Sequence, residues 1–236
     1  MRKSYHGQMS ESFIVGILLS ITGGFQDAYT CVWRGGVFAN AQTGNIVLLG
    51  KNMAEGTWTN IPHYLLPVMA FVAGVFLSQK IQYRYKKSRT IHWRQIILLL
   101  EILILFAVGL IPADSNTNMI ANSLVSFSCA MQVDSFRKIR GNVFATTMCI
   151  GNLRNATALL CSYEATKDKK LRWKSIQYYL FIFVFIVGAS AGSLMVEWIG
   201  TKAVWFCCIA LLLAFSVMFI KEEIEDDRDI KTRLGK

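Results

Sequence analysis

Residues 34–39 read RGGVFA, and residues 140–145 read RGNVFA. The second copy follows the first at an offset of 106 positions, and Gln26 falls on Gln132 at the same offset. One inserted residue later, Gly44-Asn45 falls on Gly151-Asn152. Because the matches include Arg, Gln and Asn, chance similarity between apolar segments does not easily explain them. The chain is therefore predicted to contain an internal duplication.

A second set of matches lies further along each copy, at an offset of 114 positions. Phe71 falls on Phe185, and Gly74 falls on Gly188. Chance similarity between apolar helices explains this set as well as duplication does. The evidence for duplication therefore comes from the polar motif, and the helix matches extend the duplicated region further along the chain.

The composition places the chain among membrane proteins. Apolar residues make up 53% of the sequence and charged residues 17%, whereas a soluble domain carries about 25% charged residues. The apolar residues fall in blocks long enough to cross a bilayer, which excludes a soluble nucleic-acid-binding protein despite the net charge of +10. The six cysteines show no CxxC spacing and no metal-ligand pattern, which excludes a disulfide scaffold.

Six segments reach the length of about 20 predominantly apolar residues that a spanning helix needs. They are residues 13–33, 61–79, 95–113, 115–133, 175–196 and 203–220. The fourth is the most polar because it is rich in Asn and Ser, and a helix of this kind faces other helices or a wet cavity. The fold class predicted is an all-α polytopic membrane protein with six transmembrane helices.

The distribution of basic residues predicts the orientation. With the N-terminus in the cytoplasm, 22 of the 25 Lys and Arg residues fall on cytoplasmic segments, as the positive-inside rule requires. Both termini, including the charged tail 221–236, are then cytoplasmic. Repeat one (13–113) and repeat two (115–220) contain three spans each, so the second enters the membrane from the opposite side as an inverted 3+3 repeat.

Two motif segments, residues 36–50 and 141–161, are too short or too polar for confident spans. Counting them as full spans would place the basic loop 80–94 outside, so we expect re-entrant or interfacial segments. The pairs Gly23-Gly24 and Gly35-Gly36 are the predicted break points, because Gly accepts backbone angles that other residues avoid.

The motif resembles that of the YoaK-like family of bacterial integral membrane proteins. The matching stretches are GGFQDA at 23–28, GVF at 36–38 and TGN at 43–45. The resemblance implies a multi-pass protein of the bacterial inner membrane. It implies no biochemical activity, because none is assigned to the family.

Two carboxylates stand out as candidate coupling residues. Asp27 lies inside a predicted span, where a carboxylate is costly and commonly serves a proton or cation relay. The alternative is a helix cap or an inter-helix hydrogen bond near a broken helix. Asp134 lies close to the equivalent position in repeat two, nearer the cytoplasmic end, where the structural alternative is stronger.

The other candidate binding residues surround the repeated motif. They are Gln26, Arg34, Asn40, Gln42, Thr43, Asn45, Gln132, Arg140, Asn142 and Asn152. The amides can bind a polar solute or satisfy the backbone of a re-entrant segment. The two arginines can clamp an anionic group or anchor a helix at its end.

These features favour a small permease or secondary transporter for an unidentified polar solute, with Asp27 as the candidate proton carrier. The alternative is a non-transporting membrane scaffold or assembly factor. An enzyme is least favoured: the G-x-S-x-G match at 188–192 lacks a base, since the three His residues lie at or beyond span ends. We expect no cofactor, metal or nucleic-acid partner. The expected partners are the lipid bilayer, the solute and, because six spans are few for a complete pathway, a second copy of the chain.

Overall fold

A computed structural model describes residues 12–86, 92–139, 142–143, 147 and 149–218. The chain is helical almost throughout, which confirms the all-α prediction. The helices are α1 (Phe13–Ala28), α2 (Gln42–Ala54), α3 (Ile61–Tyr85), α4 (Trp93–Leu110), α5 (Ser115–Ser135), α6 (Cys149–Thr166), α7 (Lys169–Ile199) and α8 (205–218).

Short elements join these helices. A π-helical turn (Tyr29–Trp33) prolongs α1, and 3-10 turns at Trp58–Asn60 and Gly200–Val204 lead into α3 and α8. The strands β1 (Lys138–Ile139) and β2 (Asn142–Val143) form one antiparallel pair of two residues each.

Three helical stretches of the described chain are long and apolar enough to cross a membrane. They are Trp58–Tyr85, Trp93–Leu110 and Lys169–Met218. The first two contain the predicted spans 61–79 and most of 95–113, and the third contains 175–196 and most of 203–220. The predicted spans 13–33 and 115–133 are helical as well, but α1 is 16 residues long before its π turn and α5 is polar. Six spans therefore remain a prediction.

Side-chain caps fix where the first helix of each half begins; the first half is residues 13–113 and the second 115–220. Ser12 accepts a hydrogen bond from the backbone N–H of Val15 at 3.2 Å. Asp114 accepts from the backbone N–H groups of Asn116 and Thr117 at 2.9 and 3.0 Å. The hydrogen bonds from Thr117 and Asn116 lower the pKa of Asp114, because they favour the ionised carboxylate.

One of the two predicted break points is confirmed and the other is wrong. Gly35 and Gly36 adopt φ angles of +88° and +81°, which end the helical run that includes α1. Gly23 and Gly24 instead lie within α1. Gly24 serves a close approach there rather than a turn, because an added Cβ atom would overlap with the backbone carbonyl oxygen of Phe185 in α7.

The most extensive helix contacts pair α1 with α7 and α3 with α5, so each pair joins the two halves. Glycine makes both approaches possible. A Cβ atom added to Gly188 would overlap with the carbonyl oxygen of Ile21, and one added to Gly74 would overlap with the carbonyl oxygen of Phe127. Gly188 follows Gly74 by 114 positions and Phe127 follows Ile21 by 106, which are the two offsets of the sequence repeat.

These approaches predict that alanine is destabilising at both glycines. We expect Gly188→Ala and Gly74→Ala each to lower the free energy of unfolding by about 1–3 kcal/mol, because the helices must separate to admit a methyl group. The matched control is Gly50→Ala in α2, where a Cβ would meet nothing within 4 Å. That substitution should leave the thermal unfolding midpoint of the purified protein unchanged or raise it. Equal midpoints for the three variants would contradict the packing described here.

Candidate functional site

A cavity of about 780 Å³ lies between the two halves. The first half contributes the end of α1 and its π turn, Phe38, residues 40–43 and Phe71 of α3. The second half contributes Thr147, the first residues of α6, and Phe185 of α7. Most of the lining is apolar. The volume falls in the range of about 300–1,000 Å³ that small-molecule sites occupy.

Asp27 lies at this cavity, and its carboxylate also holds the chain ahead of α2. The side chain is 9% exposed, and its Oδ1 accepts a hydrogen bond from the backbone N–H of Asn40 at 2.7 Å. The backbone of Ala39 and Ala41 lies beside the same carboxylate. The position of Asp27 is thus compatible with both predicted roles. In the structural role it caps the segment that enters α2, and in the functional role it lines the cavity.

Three other predicted site residues share the cavity with Asp27: Asn40, Gln42 and Thr43. Asn40 donates through Nδ2 to the carbonyl of Gly23 at 3.1 Å, while its Oδ1 is buried and has no hydrogen-bond partner in the described chain. Gln42 donates through Nε2 to the Ser126 hydroxyl at 2.7 Å and to the preceding turn. The described hydrogen bonds of both amides are therefore made to the protein itself, although the two residues line the cavity.

Asn45 is fully buried and supports the backbone of the motif. Its Oδ1 accepts from the backbone N–H of Phe38 at 3.0 Å, and its Nδ2 donates to the Phe38 carbonyl at 2.7 Å. It is not among the described residues that line the cavity. Asn152, its counterpart in the repeat, is buried in α6 and is likewise outside that lining.

Gln132 and Gln26, the matched glutamines, lie in the polar interior between helices. Gln132 accepts from the Thr22 hydroxyl at 3.4 Å and donates to the Leu19 carbonyl at 3.0 Å, which ties α5 to α1. Gln26 accepts a hydrogen bond from the Cys129 thiol. Neither glutamine is among the described lining residues of the cavity.

Glu101 is a carboxylate on the interior-facing side of α4. It is fully buried beside the side chains of Gln26 and Ser128. Neither carboxylate oxygen makes a hydrogen bond of good geometry within the described chain, and the same holds for Gln26 Nε2 and Ser128 Oγ. Burial of an ionised carboxylate without a cation is costly, so this cluster is the least satisfied part of the interior.

Arg34 is fully buried, not at a lipid or solvent boundary. Its guanidinium donates to the carbonyls of Val108, Ile111 and Pro112 at 2.8–3.2 Å and to the Tyr29 hydroxyl at 2.8 and 3.1 Å. All three side-chain nitrogens are thus engaged. Arg34 holds the C-terminal end of α4, whose last carbonyls have no partner within the helix.

Asp134 joins α5 to α3. It accepts from the Ser78 hydroxyl at 2.9 Å and from Gln79 Nε2 at 2.6 and 2.8 Å, and it forms an ion pair with Arg137. It is not among the described lining residues of the cavity. Of the remaining candidates, Arg140 and the side chain of Asn142 lie outside the described residues.

Sequence reasoning missed two kinds of cavity residue. Phe71 and Phe185 face the cavity from α3 and α7, and their match at the 114-residue offset was a signal that could have identified them. Thr147 lines the cavity with a buried hydroxyl that has no partner in the described chain, and no sequence pattern marks it. The described residues contain no group of three or more His, Cys, Asp or Glu placed to hold a metal ion.

Comparison with known proteins gives one match. The family described as "Protein of unknown function (DUF1275)" matches residues 15–217. No curated protein and no solved structure matches the chain.

The position of Arg34 predicts that Lys cannot replace it. We expect Arg34→Lys to lower the free energy of unfolding by about 3 kcal/mol, because an ammonium cannot reach carbonyls arranged for a guanidinium. The control is Arg84→Lys, an exposed site in the last turn of α3. Thermal unfolding of the purified variants measures both effects. An Arg34→Lys midpoint equal to that of the wild type would argue against the helix-end role.

The Glu101 cluster predicts that a neutral side chain of the same shape is tolerated. We expect Glu101→Gln to keep or raise the unfolding midpoint, since it removes a buried charge that the described chain does not balance. Glu101→Ala should lower the midpoint because it leaves a void. Glu197→Gln, at an exposed carboxylate of α7, is the matched control. A large loss in Glu101→Gln would instead indicate a cation that neutralises the carboxylate.

Proposed function

The chain belongs to the DUF1275 family of proteins of unknown function, and from this premise we propose that it is a membrane transporter whose solute binds in the cavity between its two halves. The YoaK-like resemblance of the motif is consistent with that membership. The observation that carries the proposal is the position of the cavity. Residues of both motif segments line it, together with the matched pair Phe71 and Phe185.

The distribution of polar and apolar residues supports a membrane location. Large apolar side chains face outward, among them Phe76 and Phe183 at 62% and 61% exposure. Polar side chains such as Gln26, Arg34 and Asn45 are fully buried. This is the reverse of the pattern in a soluble protein and suits a lipid surround.

Matched contacts support an inverted 3+3 repeat. In the proposed arrangement α1 corresponds to α5 and α3 to α7, so the α1–α7 pair corresponds to the α5–α3 pair. The close approaches at Gly188 and Gly74 are equivalent under this correspondence. Sites in such transporters lie at the interface of the repeats, which is where the cavity lies.

The orientation in the proposal follows the basic residues. Both termini and the loop 80–94 are cytoplasmic, in the inner membrane of a bacterium, with α2 and α6 entering from opposite faces as re-entrant or interfacial helices. Asp27 is the proposed coupling residue, because it is the described carboxylate that lines the cavity. A second copy of the chain completes the transport unit.

The scaffold alternative receives less support from the packing. A scaffold would use stripes of small residues to bind partner helices. Gly24, Gly74, Gly188 and Gly192 are instead occupied by contacts within the chain. Transport also explains why a cavity of small-molecule size persists between tightly packed helices.

Access from both membrane faces tests the proposal without knowledge of the solute. We expect Thr43→Cys, at the cavity in a background without native cysteines, to react with a membrane-impermeant maleimide in both right-side-out and inverted vesicles. The control is a variant that keeps Cys161 as its one cysteine; this residue is exposed on α6 and is predicted to react from the cytoplasmic face alone. Reaction of the Thr43→Cys variant from one face, or from neither, would contradict transport and favour the scaffold.

A further inference from the structure

The described residues that line the cavity carry a negative charge and no positive charge. Asp27 is the single charged side chain there, and no described Lys or Arg lines the wall. Its Oδ1 accepts a hydrogen bond from the backbone N–H of Asn40, and the backbone of Ala39 and Ala41 lies beside the carboxylate without a hydrogen bond of good geometry in the described chain. A carboxylate has about four acceptor positions on its two oxygens, so Asp27 retains capacity for a ligand that donates.

Other polar atoms at the cavity also lack donors. Asn40 Oδ1 and Thr147 Oγ1 are buried without a hydrogen-bond partner in the described chain, and the two residues are 3% and 5% exposed. The amide donor of Gln42, by contrast, is engaged by protein acceptors. Both unpartnered oxygens lie behind the cavity surface, so the unpaired polar character of this wall is that of acceptors and not of donors.

The rest of the wall is apolar and partly aromatic. Phe38, Phe71 and Phe185 line it together with Val32 and Ile150. Aromatic faces attract cations and also pack against hydrocarbon. A small hydrated ion would leave this surface without complementary contacts.

We infer that the ligand of the cavity is an organic cation with a hydrophobic body: an ammonium group donates to Asp27, and the apolar body lies between Phe71 and Phe185. This inference rests on the proposed function in taking the cavity as the binding site. It narrows the polar solute predicted from the sequence, because the lining is more apolar than the motif suggested.

A matched ligand series tests the inference on the wild-type protein. The probes 4-phenylbutylamine, 4-phenylbutanol and 4-phenylbutyrate share one body and carry a positive charge, no charge and a negative charge at neutral pH. The native Cys31 and Cys149 line the cavity, so a bound probe should slow their alkylation by N-ethylmaleimide. Alkylation of the exposed Cys161, followed by peptide mass spectrometry in the same sample, is the internal reference.

We expect the amine to protect Cys31 and Cys149 at concentrations at which the alcohol and the carboxylate do not. In Asp27→Asn, the amine concentration that gives half protection should rise about tenfold or more, the effect of losing one charge-assisted hydrogen bond. Glu197→Gln removes an exposed carboxylate outside the cavity and should leave that concentration unchanged. If Asp27→Asn does not fold, the comparison of the three probes on the wild-type protein still decides whether the cavity prefers a cation.

Two outcomes would overturn the inference. One is protection by 4-phenylbutyrate or 4-phenylbutanol at or below the concentration at which the amine protects; the other is equal slowing at Cys161, which reports an effect outside the cavity. The inference about the ligand class and the proposal of transport can be contradicted independently of each other. Two-sided access with no preference for the amine would leave a transporter of another substrate class. Amine protection with one-sided access would leave a cation-binding protein that does not transport.

Discussion

At Gly24 and Gly188 the backbones of α1 and α7 come so close that neither position has room for a Cβ atom. The same approach recurs between α3 and α5 at Gly74. Each contact joins one half of the chain to the other, so neither half completes its packing alone. The position of the cavity follows from this packing of one half against the other, because α1 and α7 bring Asp27 and Phe185 to the same cavity.

In the interior, polar side chains form hydrogen bonds with backbone groups of loops and helix ends, which apolar side chains could not do. Asn45 pairs with both backbone groups of Phe38, and Arg34 binds the last carbonyls of α4. In surroundings without water, such bonds replace those that a loop or a helix end would otherwise make to solvent. Two polar groups of the motif region, those of Asp27 and Asn40, combine this role with a place at the cavity.

The sequence predicts the positions of the main helices well, because apolar length and charge placement act locally along the chain. It also predicts that residues 40–43 and Asp27 lie together, since one motif holds them. It does not separate Asn40 from Asn45, because an amide that binds a ligand and one that binds backbone carry the same sequence signal. Gly23-Gly24 was misassigned for a related reason: glycine marks a turn or a close approach, and only the partner helix distinguishes them. Thr147 had no signal, because its role depends on packing across the halves.

Because helices of one half pack on helices of the other, the order of synthesis also determines when each of these contacts can form. Phe127 follows Gly74 by 53 positions, whereas Gly188 follows Gly24 by 164. At a translation rate of about 5–20 residues per second, the ribosome takes roughly 8–33 s to deliver the partner of α1 after α1 itself. The α3–α5 contact forms on a shorter timescale. α1 thus waits longer for its partner than α3 does, and the wall beside Asp27 is complete only once α7 has been made.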